Sequence, residues 1–272
     1  MGPRFLAACA QMRCQDDPAT NVAAACRLVA EAGARGAALV VLPEMFHWRG
    51  PQERDAEVAE GLDGDCLGRL AESARANRLT LVAGSILERH PGGELPFNTT
   101  VVFGPAGERL GVYRKIHMFD VDLTSGPRVR ESERLSAGAE PVCVDTPVGR
   151  LGLSICYDLR FPELYRRLVD AGAEILCVPS AFTFTTGSAH WETLLRARAI
   201  ESQCWVLAPN QGGPVAHGPE VWGHTQVVDP WGVVVAKSGA TGEALVLATI
   251  DPEQTARVRA QLPSLRHRRI RG

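Results

Sequence analysis

The stretch LGLSICYDLRFPEL, residues 151 to 164, packs an apolar run, a cysteine, an acid, an arginine and a proline into fourteen positions. LGLSIC reads as an apolar strand, and Pro162 suits the first turn of a helix, where its missing N–H costs nothing. The segment is therefore a strand-to-turn-to-helix elbow with Cys156 at the bend. Such a turn lifts a side chain off the sheet edge, exposes backbone N–H groups and lets the following helix favour a thiolate. Apolar flanks fit an inert core thiol equally well, so the elbow alone leaves both readings open.

The same strand-then-helix grammar runs outward in both directions. RFLAACAQ, AALVVLPE, TLVAGSILE, NTTVVFGP, AEILCVPSAF, CWVLAPNQ, TQVVDPWGVVVAKS and EALVLATI read as strands. NVAAACRLVAEAGARG, CLGRLAESARANR, PELYRRLVDAGA and HWETLLRARAIESQ have helical composition. Alternation of this kind predicts an α/β fold, with DPWG as the turn between two antiparallel strands. EAGARGAALVVLPEMF at 31 to 46 and VDAGAEILCVPSAF at 169 to 182 both run from a helix end through AGA into an apolar strand ending at proline. Each half is therefore expected to carry a similar α-then-β unit, with helices covering the sheets from outside.

Composition excludes several function classes. With 272 residues, 45% hydrophobic and 22% charged, and no obvious linker, the chain can bury one large core, and a single domain over 1–272 is expected. The 29 Lys+Arg against 31 Asp+Glu leave a formal charge of −2, which does not suit a phosphate-backbone binder. The basic tail at about 262–272, containing RHRRIRG, reads as a solvated terminus or a subunit contact. No apolar run reaches the roughly eighteen residues of a membrane span, and MGPRFLAACAQM enters a strand directly, so a cytoplasmic protein without membrane or nucleic-acid partners is expected. Eight cysteines without CxxC pairs, and seven histidines without HExxH, fit buried thiols in a reducing compartment and predict neither metal nor cofactor. Catalysis would have to come from side chains.

Three further residues change the reading of Cys156. Glu44 ends the apolar run ALVVLPE at the strand edge where α/β folds place their chemistry. Lys115 follows a strand-like stretch in GVYRKIHMFD, and Glu131 lies in the turn-rich RVRESERL. Together with Cys156 they supply a base, a cation, an orienting acid and a nucleophile.

LPEMF, YRKIHMFD and GLSICYDLRFPEL resemble the three signature segments of the nitrilase superfamily of carbon–nitrogen hydrolases, in that family's order Glu, Lys, Cys. PSAFTFTTGSAHWETLLRARAIESQCWV and GHTQVVDPWGVVVA are similar to the stretches that follow the cysteine in its members, so the likeness covers nearly the whole chain. CYDLRFPE resembles the amidase branches, above all the Nit branch with its omega-amidases and deaminated glutathione amidases. The resemblance implies a four-layer αββα sandwich that pairs into a homodimer or higher homo-oligomer, and a cysteine-dependent amidase acting on a small carboxylic acid amide. Cys156 would form a thioester and release ammonia. Glu44 would move the protons, with its pKa raised by an apolar site. Lys115 and the backbone N–H of Tyr157 would hold the oxyanion. Glu131 would position Lys115 and the substrate amide, although neighbouring Glu133 competes for that assignment. N-carbamoyl amino acid hydrolysis is the enzymatic alternative, and a non-catalytic binding protein on the same fold the other.

Phe46 and Phe182 are candidate pocket walls, with Trp48, Phe184 and Trp191 as further aromatics near the motifs. The loops at 47–52 and 124–131 are expected to rim the mouth. His117 and His190 are weak candidates for a Cys-His arrangement, since neither shows an Asn or Asp orienter in the sequence. Arg196 and Arg198, two apart on a helix, point in different directions and read as ion-pair residues beneath the site or at an interface.

Overall fold

Leu39 and Val41 pack into one core while Val40 and Leu42, alternating with them, pack into another. Period-2 alternation between two apolar environments is what a strand covered on both faces requires. The same sorting recurs at Ala7 and Cys9 against Ala8 and Ala10, and at Trp205 and Leu207 against Val206 and Ala208. The computed structural model describes residues 2–93, 95–122 and 128–270.

Among the described residues, the two large sheets have seven and six strands, beside two small two-stranded ones. The first runs in the order Ala244–Ile250, Phe5–Gln11, Ala37–Val41, Thr80–Val82, Phe97–Phe103 and Ile86–Glu88, with Arg109–Arg114 also paired to Phe97–Phe103. The second runs Val234–Lys237, Gln226–Val228, Trp205–Ala208, Ile175–Cys177, Gly149–Leu153 and Cys143–Thr146. Their facing surfaces share one core that includes Leu39, Val41, Leu153, Cys177 and Leu207. Helices Pro18–Ala34 and Asp65–Asn77 cover the outer face of the first sheet through residues such as Leu28 and Leu70. Helices Pro162–Asp170 and Phe184–Ser202 cover the second through Leu168, Trp191 and Leu195. The result is the four-layer αββα sandwich, and each fully buried Leu or Val in it contributes about 1.5–3 kcal/mol.

The halves match as the AGA echo suggests. Phe5–Gln11, Ala37–Val41 and Thr80–Val82 form a parallel trio, as do Gly149–Leu153, Ile175–Cys177 and Trp205–Ala208. The two echoing segments end in the middle strand of each trio, so Pro43–Glu44 and Pro179–Ser180 leave equivalent sheet edges. The DPWG turn joins Gln226–Val228 to antiparallel Val234–Lys237, with Asp229 Oδ1 accepting from the N–H groups of Trp231 and Val233 at 2.9 Å.

Three elements differ from expectation. TLVAGSILE breaks into two strands at Gly84, whose φ of +53° and closeness to the Pro43 carbonyl exclude a side chain. The helix expected from His190 begins at Phe184: Thr183 is extended at its N-cap, with no side-chain capping bond, and its carbonyl accepts the first turn's Gly187 N–H at 2.7 Å. Pro252–Gln261 is a further helix, with Asp251 as N-cap and proline in its first turn. Arg268 in the basic tail pairs with Asp170, while residues 271 and 272 lie outside the described set. Among the described residues no helix is long and apolar enough to cross a membrane.

Candidate active site

Cys156 adopts φ +46°, a left-handed conformation that costs a non-glycine residue on the order of 1–2 kcal/mol, so something must hold it. Its N–H donates to the Pro179 carbonyl at 2.9 Å, tying the bend to the neighbouring strand end. Two residues on, Asp158 is fully buried. Its Oδ2 accepts from the Ile155 N–H at 2.8 Å and the Tyr113 hydroxyl at 2.6 Å. Its Oδ1 accepts from the His117 N–H at 3.1 Å and lies 2.7 Å from His117 Nδ1. One carboxylate therefore ties the bend to the chain on either side of Lys115, through Tyr113 and His117. Pro162 opens the helix Pro162–Asp170 as expected.

Glu44 is held just as tightly. Met45, next to it, also has a left-handed φ of +50°, and its N–H donates to Ser85 Oγ at 3.0 Å. Gln211 Nε2 donates to the Glu44 carbonyl at 2.7 Å from the opposite half of the fold. The Glu44 carboxylate accepts from Asn98 Nδ2 at 2.9 Å, Lys115 Nζ at 3.0 Å and the Ala181 N–H at 2.8 Å, and the Cys156 thiol lies close enough to interact with it. Lys115 Nζ also donates to both oxygens of Glu131, at 2.9 and 2.8 Å. Glu131 is buried and receives the Phe119 N–H at 2.6 Å, whereas Glu133 is exposed, so geometry separates the two glutamates.

These contacts set the charge states. Burial alone would raise the Glu44 carboxyl, but the Lys115 ammonium and the hydrogen bonds outweigh it and hold the group below its ordinary value. The expected upward shift is therefore corrected: the apolar strand end is real, yet a buried cation sits against the acid. Burial likewise would lower Lys115, and Glu131 and Glu44 more than reverse it, so the ammonium is retained. Desolvation and the Glu44 charge push the Cys156 thiol well above its ordinary value. The resting pair is a carboxylate facing a neutral thiol, not the thiolate that the helix end alone would favour.

The four residues line the floor of a cavity of about 100 Å³. Trp48, Arg49, Tyr157, Arg160 and Phe182 are among its walls, so the 47–52 loop does rim it. Val129 and Glu131 line it from the second predicted loop, of which residues 124–127 lie outside the described set. Phe46 is not a wall: it is fully buried in the core beneath the Pro18–Ala34 helix, because the turn after Glu44 points it inward. Trp191 is a core residue donating to the His224 carbonyl, and Phe184 is exposed. His117 has an Asp partner that the sequence did not reveal, but it stacks on Phe161 and lines no part of the cavity. His190 lies outside the cavity, against Arg160. Arg198 is buried, bonded to the Leu159 carbonyl and Glu201, and Arg196 bonds the Gly232 carbonyl.

Asn98, Asp158, Gln211, Arg49 and Arg134 are the site residues that sequence reasoning missed. Asp158 sits inside the quoted CYDLRF and was legible as the acid of the elbow. Among the described residues no cluster of His, Cys, Asp and Glu could hold a metal ion.

The carbon-nitrogen hydrolase family model matches residues 6–260. Omega-amidase NIT2 of Homo sapiens is 40% identical over 265 residues, covering 97% of this chain and 95% of that protein. A deaminated glutathione amidase of Synechocystis is 40% identical over 267 residues, covering 97% and 98%. The crystal structure of Saccharomyces cerevisiae Nit3, a member of branch 10 of the nitrilase superfamily, superposes with a TM-score of 0.90 at 30% identity, covering 99% of this chain and 98% of that one. With that match over fold and sequence alike, the chain belongs to the carbon–nitrogen hydrolase family of the nitrilase superfamily, and is a hydrolase of carbon–nitrogen bonds other than peptide bonds.

Proposed function

We propose that the protein is an amidase for a small carboxylic acid amide, using Cys156 as nucleophile, with omega-amides and deaminated glutathione as the substrates that its relatives' names suggest. The observation that carries the reading is the single cavity floor where the Cys156 thiol meets Glu44, with Lys115 bridging Glu44 and Glu131. As the Cys156 sulfur bonds to the amide carbon, its proton passes to Glu44. The carbonyl oxygen takes the negative charge, which Lys115 Nζ and the Tyr157 N–H stabilise. Collapse breaks the C–N bond while Glu44 returns the proton to the leaving nitrogen, freeing ammonia from a primary amide or an amine from a secondary one. Water, deprotonated by Glu44, then attacks the thioester; the C–S bond breaks, and the sulfur recovers its proton. Transfer from a high-pKa thiol to a low-pKa acid is uphill at rest, so it happens only as C–S bonding proceeds. Glu131 keeps the ammonium aimed.

Arg160 supports an acid as substrate. Its guanidinium lies over the rings of Tyr157 and Phe182, 5.6 and 5.1 Å from their centroids, and among the described residues it has no carboxylate partner. A substrate carboxylate there would satisfy a desolvated cation. The test is hydrolysis of a panel holding 2-oxoglutaramate, deaminated glutathione, glutamine and an N-carbamoyl amino acid, followed by mass spectrometry of the acid product. Turnover of an acid amide, lost in Cys156→Ala, supports the reading; carbon dioxide release from the carbamoyl compound alone favours the alternative.

The reading includes a homo-oligomer. Ile200, Trp231, Val233 and Val235 are exposed apolar side chains on the Phe184–Ser202 helix and the adjacent hairpin, which supports pairing through that layer. Light scattering at micromolar concentration should give a dimer or larger, and a monomer would contradict it. Eight cysteines without a disulfide support a cytoplasmic setting.

A further inference from the structure

The elbow that carries Cys156 leaves one carbonyl that its own turn does not serve. The turn Cys156–Arg160 stops where Phe161 becomes extended, at φ −108° and ψ 91°, and the next residue, Pro162, has no N–H to donate. Leu159 is fully buried, so an unpaired carbonyl there would be costly. Its donor comes from 39 positions away, as Arg198 Nε on the helix Phe184–Ser202 donates to it at 2.9 Å.

Burying a guanidinium needs both its charge and its donors met. Arg198 Nη1 donates to Glu201 Oε1 at 2.7 Å, one turn along the same helix, and the guanidinium lies over the Tyr165 ring, 5.2 Å from its centroid. The Tyr165 hydroxyl shares a 2.9 Å hydrogen bond with Ser154 Oγ, which also donates to the Cys177 carbonyl at 3.0 Å. Arg198 therefore meets the bend on both arms: directly at Leu159, three residues after Cys156, and through Tyr165 at Ser154, two residues before it. Asp158 fastens the same bend to Tyr113 and His117, whereas Arg198 fastens it to the outer helix layer. Between the two lie the thiol and the Tyr157 N–H. Arg198 is not a wall of the cavity, so its influence passes through the backbone it holds.

We propose that Arg198 is a positioning residue for the amidase reaction: by serving the Leu159 carbonyl and backing Tyr165, it holds the turn at which the thiol reaches Glu44 and the Tyr157 N–H faces the oxyanion. The proposal rests on the amidase reading above and adds to it a residue on a different helix from the nucleophile.

The test is the series Arg198→Lys, Arg198→Met and Glu201→Gln, assayed on an acid amide. A shift of the turn near 1 Å is worth about a hundredfold, so Arg198→Met should lose about a hundredfold in kcat, with a smaller change in KM. Arg198→Lys keeps a charged donor and should recover about tenfold of that loss, which also leaves a measurable defect if Arg198→Met does not fold. Glu201→Gln keeps the Leu159 contact and should lower Tm more than kcat. Leu70→Ala, in the helix layer of the other sheet, is the stability control: it should lower Tm by opening a cavity and leave kcat unchanged. Arg198→Met and Arg198→Lys with kcat no lower than in Leu70→Ala would overturn the proposal. Alkylation by iodoacetamide, read by mass spectrometry of the Cys156 peptide, reports thiol placement without turnover. Its rate at Cys156 should fall in Arg198→Met and partly return in Arg198→Lys, while half-buried Cys26 keeps its wild-type rate as an internal reference. Equal Cys156 rates in all three proteins would refute the positioning role. If the wild type hydrolysed no amide, the amidase reading would suffer, while the alkylation series would still decide about Arg198.

Discussion

Asp158→Asn isolates the clamp that holds the cysteine bend. Asp158 is wholly buried, and each oxygen faces two groups: Oδ2 meets the Ile155 N–H and the Tyr113 hydroxyl, and Oδ1 meets the backbone N–H and ring Nδ1 of His117. Asparagine keeps the shape but replaces one acceptor by a donor. If its NH₂ takes the Oδ2 position, Tyr113 can rotate to accept, yet the Ile155 N–H faces another donor. In the flipped orientation the His117 N–H does. Losing one charge-assisted bond and opposing another at about 1–2 kcal/mol each gives a cost of about 2–4 kcal/mol. In a protein of this size that lowers Tm by about 5–10 °C. The bend also carries the left-handed φ of Cys156, so loosening it lets the thiol drift from Glu44, and a displacement near 1 Å is worth about a hundredfold in kcat. Tyr113→Phe removes one bond only and should cost about 1 kcal/mol with a smaller kcat effect. Calorimetric melting and steady-state amide hydrolysis read both quantities. An Asp158→Asn protein with wild-type Tm and kcat within twofold of wild type would refute the clamp.

Three other outcomes follow from the same contacts. Glu44 must be ionised and Cys156 protonated at rest; the first is held below its ordinary value and the second above, so kcat/KM should stay flat from about pH 5 to about pH 9 and fall only in acid, as Glu44 takes up a proton. A midpoint near pH 6.5 would instead indicate a histidine base. Lys115→Met leaves Glu44 and Glu131 buried with no cation between them; urea unfolding should show a loss of about 3–5 kcal/mol together with lost activity, and an unchanged midpoint would contradict the ion-pair account. Gly84→Ala forces a side chain onto the Pro43 carbonyl at positive φ, displacing the turn that carries Glu44, so kcat should fall more steeply than for an alanine at Gly61, where nothing stands in the way.

The parts of the site legible in the sequence are those announced by local pattern. Glu44 and Cys156 each close an apolar strand at a sheet edge, and Lys115 follows another, so short-range hydrophobic grammar finds all three. The layers were legible for the same reason, since strands apolar at every position need cover on both faces. What escaped depends on pairing across the chain. Asn98 reaches Glu44 over 54 positions and Gln211 over 167, and nothing in NTTVVFGP or APNQGG marks either amide as a site residue. The Glu44 shift was missed because Lys115, 71 positions away, reverses what its own apolar neighbours imply. Phe46 was misassigned because a positive φ at Met45 turns the chain so that Trp48, and not Phe46, looks into the cavity. Arg49 lies in the HWRGPQ loop expected at the mouth, but nothing local marks its contact with the Pro219 carbonyl 170 positions away.

The central claim is covalent, and it is tested most directly by stopping the reaction in acid during turnover of an acid amide and weighing the intact protein. The account predicts a species heavier by the acyl group, located on the peptide that carries Cys156 and absent from Cys156→Ala. Sustained turnover with no acyl adduct on Cys156, and retained in Cys156→Ala, would contradict it.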